Sequence, residues 1–270
     1  MARDASYSSS LLRYPVDRWT VCAVLFTALL CGLPFLTNWS ISKLLILWIA
    51  LLAFRFTAPC AQHCHAHLKV FKHPLPNFLY DIVLAQLTGF TTPEWELQHN
   101  RGHHRHFLDP QADVAGTHDD DSGEPLGMLR YVVQGNLRLL PDAYRIALRE
   151  SDRRTWLFKL GSQVLIQVAV LTAALWLAPG IAASFLFAQA LLMRVFVWWG
   201  SYWQHHGAPA TNVYDGSFTN LSPWLNRVTF NSGHHTSHHE RPTLHWSMLP
   251  ARTAQIRTRI PDECLKTSVF

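Results

Sequence analysis

Hydrophobic residues in this chain come in long, nearly unbroken runs, not in the alternating patterns of a water-soluble fold. Four runs approach the roughly 20 residues a helix needs to cross a bilayer: Trp19–Leu36 (WTVCAVLFTALLCGLPFL), Ile41–Thr57 (ISKLLILWIALLAFRFT), Trp156–Ala178 and Ile181–Gly200. The connectors TNWS and PG are so short that each pair is expected to form a helical hairpin, returning the chain to the side it left. The pattern predicts an all-α integral membrane fold: four transmembrane helices in two hairpins, plus cytoplasmic and interfacial helices, as a single domain over residues 1–270. A fifth run, Phe78–Phe90, carries Asp81 and is too short to span, so it is expected as an interfacial or re-entrant helix. The polar tail after Pro250 is expected on the surface.

Composition points the same way. Charged residues make up 15% of the chain and hydrophobic ones 49%, whereas a soluble domain carries about 25% charged residues. The net charge of +5 suits a surface facing anionic lipid. Without a Lys/Arg-rich run or an RNA-binding motif, it does not indicate nucleic acid. The five cysteines form neither a C-x-x-C pair nor a disulfide framework. No small-residue cleavage site follows the first apolar run, so that run is expected to be kept as a span and not removed as a signal peptide.

Basic residues set the orientation. Arg130, Arg138, Arg145, Arg149, Arg153 and Arg154 lie between the hairpins, and Arg227, Arg241, Arg252, Arg257 and Arg259 lie after them. The connectors inside the hairpins carry almost none. Positive-inside bias therefore places both termini and the regions 60–155 and 201–270 in the cytoplasm. Arg55 and Arg194 fall near the cytoplasmic ends of apolar runs, where snorkelling accounts for them.

All sixteen histidines lie within 63–118 or 205–245, the two regions assigned to one membrane face. They form clusters. In HCHAH, His63 and His67 share a helical face at i, i+4, while His65 points elsewhere. In HNRGHHRH, His99 and His103 repeat that spacing, His104 adds a neighbouring ring, and His106 is an outlying member. WQHHG offers His205 or His206. HHTSHH places His235, His238 and His239 at i, i+3, i+4, on one face if helical. Any one pair could be interfacial histidines bonded to water or backbone; the clusters together point to metal. Imidazole binds Fe, Zn, Cu and Ni. One zinc takes four ligands, so these histidines are better matched to two ions of higher coordination. Ferritin-like di-iron sites need repeated Glu-x-x-His motifs, and only Glu96–His99 has that spacing.

The motifs His63-x3-His67, His99-x3-His103-His104 and His235-x2-His238-His239 resemble the histidine boxes of the membrane fatty acid desaturase and hydroxylase superfamily. The likeness covers about residues 20–250. Supporting it are Phe71 after the first box, DPQAD (Asp109–Asp113) after the second, and SGHHTSHHERPTLHWSMLP, which is similar to a bacterial third box. SYWQHHG resembles the single-histidine element of membrane alkane monooxygenases and favours His205. The resemblance implies two non-haem irons held by His63, His67, His99, His103, His104, His205, His235, His238 and His239. It also implies O2 as co-substrate, a lipid or fatty-acyl substrate reached through an apolar tunnel, and an active site on the cytoplasmic face of a bacterial inner membrane.

Asn100, Asp109, Asp113 and Glu240 are candidates to orient the rings, although each also reads as a loop or cap residue. Trp95, Trp198, Trp199, Trp203 and Trp246 could line the tunnel, but most of them read as an interfacial aromatic belt. The expected reaction is oxidation of an unactivated C–H bond, with fatty-acyl desaturation leading over hydroxylation, alkene-forming decarboxylation and carotenoid ketolation. No fused electron-transfer domain is visible, so a separate ferredoxin- or rubredoxin-like donor is expected. Arg130, Arg145 and Arg153 could attract it, but they read more simply as positive-inside markers. The rival class, a metal transporter, would put ionisable groups at the membrane midplane. These spans carry Gln163, Gln167 and Gln189 but no histidine or acid at depth.

Overall fold

The computed structural model describes residues 10–36, 38–118 and 122–268. It is 71% helical, and the one sheet among the described residues is a parallel ladder pairing β1 (Thr219–Asn220) with β2 (Leu265–Lys266).

Four helical stretches are long and apolar enough to cross a membrane: Pro15–Leu36, Ile41–His67, Arg153–Leu177 and Pro179–His205. Their apolar side chains face outward, with Leu29 61%, Ile46 69% and Leu165 69% exposed. Such a surface is stable only against hydrocarbon. The first stretch is a short 3-10 turn followed by α1 (Arg18–Leu36). The second joins α2 (Ile41–Arg55) through Phe56 to α3 (Thr57–His67). The third is α7 (Arg153–Leu177). The fourth comprises α8 (Pro179–Ile181), a π-helical stretch (Ala182–Ala188) and α9 (Gln189–His205).

The second and fourth stretches each run 27 residues, about 40 Å at 1.5 Å per residue. A hydrocarbon core of about 30 Å leaves roughly 10 Å of each projecting. The helices thus overrun the expected ends at Thr57 and Gly200, and the surplus carries His63, His67 and His205. An apolar run marks where hydrocarbon stops, not where the helix does.

The short fifth run forms α4 (Pro74–Thr88), which packs between the hairpins against α1, α3, α7 and α9. It ends at Gly89, whose φ of 81° is left-handed backbone open to glycine. Here the snorkelling expectation is overturned. Arg55 is fully buried and donates to the carbonyls of Gln86 and Leu87 at the end of α4, and to Phe185 and Leu186 in the π-helical stretch. Arg194 donates to the Gly89 carbonyl and to Asn136. Two guanidiniums from two spans therefore satisfy the orphan carbonyls of one helix end.

Beyond α4, a capping box of Thr91 and Glu94 opens α5 (Thr92–Trp95), which runs into a π-helix at Glu96–His103. Then α6 (Met128–Arg149) buries Tyr131, Leu139 and Ala143, while Leu129, Val133, Leu137, Tyr144 and Leu148 stay exposed beside arginines. That pattern suits a helix lying along a membrane surface. The short helices α10 (Pro223–Val228), α11 (His235–Glu240) and α12 (Leu249–Ile256) complete the chain. The tail is not simply a surface segment as expected: Ile256, Ile260 and Cys264 form a small core with Tyr214 and Phe218, and β2 pairs back onto β1.

Candidate metal centre

Each histidine box is positioned by a different local structure. On α3 the i, i+4 spacing holds as expected, with the His63 and His67 rings 4.9 Å apart. The second box departs from expectation because Glu96–His103 is π-helical. The His104 backbone N–H bonds to the His99 carbonyl, an i→i−5 turn. The widened turn pairs His99 with His104, their Nε2 atoms 3.1 Å apart, and sends His103 to a different neighbourhood. Gly102 makes the stretch fit, since a Cβ there would lie 2.5 Å from Val114 and 2.8 Å from Ile146.

The third box sits on α11, where His235 to His239 are all buried. Hydroxyl contacts fix this helix on two sides: Thr236 meets Ser217 and Thr219, and Ser237 meets Thr253 at 2.6 Å. Its histidines do not act as one face. His238 joins the first box, its Nε2 3.0 Å from that of His63, whereas the Nε2 of His235 lies 2.9 Å from that of His205 and 3.1 Å from that of His239.

Two groups result. His63, His67, His99 and His238 bring one nitrogen each within 4.8 Å of one another; so do His103, His205 and His239. His104 attaches to the first group through His99, and His235 to the second through His205 and His239. All nine expected positions are thus brought together. His206 stacks on Tyr202 at 4.2 Å instead, and His106 is in neither group.

The electrostatics fit a cation-binding site. Burial, then repulsion between neighbouring rings, holds His99, His104, His235, His238 and His239 well below the ordinary imidazole value. Neutral imidazole is the ligating form. His103 Nδ1 donates to both Asp113 oxygens, at 2.8 and 2.9 Å. Its Nε2, like that of His67, is buried with no partner among the described residues. His205 Nδ1 donates to the Gly216 carbonyl at 3.2 Å, which leaves its Nε2 as the acceptor facing His235. A carboxylate or carbonyl behind an imidazole is the usual support of a metal ligand. Neither group contains a carboxylate. Glu96 is paired with Lys69 at 2.6 Å, away from both. The residues present therefore suit two cations held by nitrogen alone.

Of the four candidate orienting residues, only Asp113 touches a grouped histidine. Asn100 donates to the Ala66 carbonyl, tying the second box to the end of α3. Asp109 caps its own turn by accepting from the Gln111 N–H. Glu240 is paired with Arg252 and Tyr214. Two further carboxylates hold histidines outside the groups: Asp81 lies 3.0 Å from His65 Nε2, and Asp17 lies 3.0 Å from His245 Nε2. The first was approachable, because Asp81 is an acid in an apolar run. The second had no sequence signal. The belt reading fails for two tryptophans: Trp95 is buried and stacked on His99 at 4.6 Å, and Trp198 is buried beside Trp95.

The family model described as Fatty acid desaturase matches residues 37–269. No curated protein matches the chain.

Proposed function

Because this chain belongs to the fatty acid desaturase family, we propose that it uses two non-haem irons, O2 and electrons from a separate ferredoxin- or rubredoxin-like donor to oxidise a long acyl chain, with desaturation the leading outcome. The reading rests on one observation: nine histidines, five of them buried and the rest half-buried, divide into two carboxylate-free groups that meet where two spans project. When bound, such irons supply the one-electron chemistry that activates O2 toward an unactivated C–H bond.

The chain's own residues do the rest. Burial keeps the imidazoles neutral and ready to donate a lone pair. Asp113 fixes the His103 ring, and the Gly216 carbonyl fixes His205. Trp95, stacked on His99, and Trp198 behind it exclude water from one flank. Loss of hydrogen from two adjacent carbons yields an alkene, and return of oxygen to one yields an alcohol. Which occurs depends on how the chain is placed. The basic segments after α5 and α9 support an orientation with both termini and the histidines in the cytoplasm of a bacterial inner membrane.

The test is expression in a lipid-rich host, with mass spectrometry of lipids and carotenoids and metal analysis of the purified protein. Two irons per chain and a new double bond are expected. A hydroxyl or keto product would move the reaction to another outcome of the same chemistry. Protein without bound metal, or metal carried across liposomes, would overturn the reading.

A further inference from the structure

Two hollows meet at one aromatic pair. The first is a cavity of about 20 Å³ whose lining includes His63, His67 and His238 as well as Phe230, Trp246 and Leu249. It has room for a water, which needs at least about 10–15 Å³, and none for an alkyl chain. The second is an open groove of about 940 Å³ between the start of α1 and α10, lined by Trp19, Leu221, Pro223 and Arg227, together with Phe230 and Trp246. Ligand pockets span about 300–1,000 Å³. Phe230 and Trp246 line both hollows, with ring centroids 5.6 Å apart. They are the partition.

The two partition residues are held differently. Trp246 is a fixed post: its indole N–H donates to Asp17 at 2.8 Å, and the same oxygen lies 3.0 Å from His245. Phe230 has a φ of 52° and Asn231 of 62°. Left-handed backbone at a bulky side chain is an outlier that costs about 1–3 kcal/mol. The Asn231 N–H to the Asn226 carbonyl (2.8 Å) and the Asn231 amide to the Trp246 carbonyl (3.1 Å) sustain it. Backbone held in that region lies closer in energy to its alternatives than ordinary core backbone does.

Beside the polar Asn226, Asn231 and His234, the groove offers an apolar surface and one cation. Trp19 is 60% exposed on the first turn of α1, where that span enters the membrane, and supplies apolar surface. Arg227 is exposed and has no acidic partner among the described residues. A long chain with an anionic end matches both.

We propose that this groove binds the negatively charged end and first carbons of an acyl chain, and that Phe230, moving off Trp246, vacates its own volume and so enlarges the cavity enough for the next carbons to reach His63, His67 and His238. Phe230 is then a specificity-determining residue. The proposal rests on the desaturase reading for what lies beyond the partition, but not for the groove itself.

The experiment uses the full chain in nanodiscs, with photoreactive palmitate bearing a mid-chain diazirine and with its methyl ester, followed by peptide mapping. Palmitate is expected to label peptides within 221–231 and 242–249 strongly, and the peptide carrying His63 and His67 weakly. Arg227→Gln should weaken palmitate labelling about tenfold, the loss of one charged contact, and leave the ester unchanged. Phe230→Gly relieves the left-handed strain and opens the partition, so labelling of the peptide carrying His63 and His67 should rise. Phe230→Trp should abolish the labelling of that peptide while the groove stays labelled, with metal content unaltered in every variant. Equal labelling by acid and ester spread over the lipid-facing spans, or no response to either Phe230 substitution, would overturn the proposal. Labelling in the groove without any oxidised lipid would instead sink the desaturase reading alone. Oxidised lipid with labelling elsewhere would sink only the groove.

Discussion

Asp113 and His103, ten residues apart, form a bidentate pair in which one ring N–H is shared between two carboxylate oxygens at 2.8 and 2.9 Å. The pair fixes both the ring plane and the tautomer, so that Nε2 faces the second histidine group. Asp113→Ala is expected to lower metal affinity at that group by about 10–100-fold. Asp113→Asn, which keeps an acceptor but loses the charge, should fall between Ala and the native chain. Metal stoichiometry after graded chelation reads this order, and full retention of both metals in the alanine variant would contradict it.

The division into two groups predicts separable losses. His67→Ala should empty the position formed with His63, His99 and His238, and His205→Ala the one formed with His103 and His239. Each variant should keep about half the native metal if the groups bind independently, and both should be inactive. His65→Ala lies outside both groups. It should retain its metal and lose stability instead, because Asp81 would lose its neighbour at 3.0 Å. Equal metal content in all three variants would refute the assignment.

Arg55 makes a third case. Replacing it with leucine removes donors from the carbonyls of Gln86, Leu87, Phe185 and Leu186. Each buried acceptor left unsatisfied costs about 1–3 kcal/mol, so Arg55→Leu should melt several degrees below the native protein in detergent. Arg55→Lys, a point charge that cannot fork, should recover only part. An unchanged melting temperature for leucine would show that these contacts contribute nothing.

Acid should loosen the metal-free protein. His99, His104, His235, His238 and His239 sit well below their ordinary value of 6.5 because burial and neighbouring rings disfavour the imidazolium. Below pH 6.5 the unfolded chain takes up protons that the folded chain refuses, so stability is complete above that pH and declines as pH falls beneath it. Melting temperature followed from about pH 8 down to 5 should drop with the uptake of more than one proton, the unfolded imidazoles titrating near 6.5. A flat profile would mean the rings are solvated.

Spacing alone located the histidines but could not sort them. The i, i+4 rule paired His99 with His103 because it assumes an α-helix. The π-helical turn that pairs His99 with His104 depends on Val114 and Ile146 closing against Gly102, contacts distant in sequence. Likewise Asp109, Asp113 and Glu240 are all carboxylates close behind a histidine box, and only the fold decides which one meets a ring. Asp17 and His245 stand 228 positions apart, beyond any local pattern. Arg55 misled for a related reason: at the end of an apolar run, an arginine that reaches for water and one that caps a neighbouring helix look alike. The spans themselves were legible because hydrocarbon imposes their length and composition directly.

The contacts of Arg55 also bear on how the protein is made. Its partners Phe185 and Leu186 follow it by 130 and 131 residues, so a ribosome delivers the guanidinium long before these two carbonyls. Until the last hairpin arrives, the guanidinium has the carbonyls of Gln86 and Leu87 but lacks those of Phe185 and Leu186. Its final depth in the bilayer is therefore settled late, and chains truncated before the last hairpin should be recognised and degraded as incomplete.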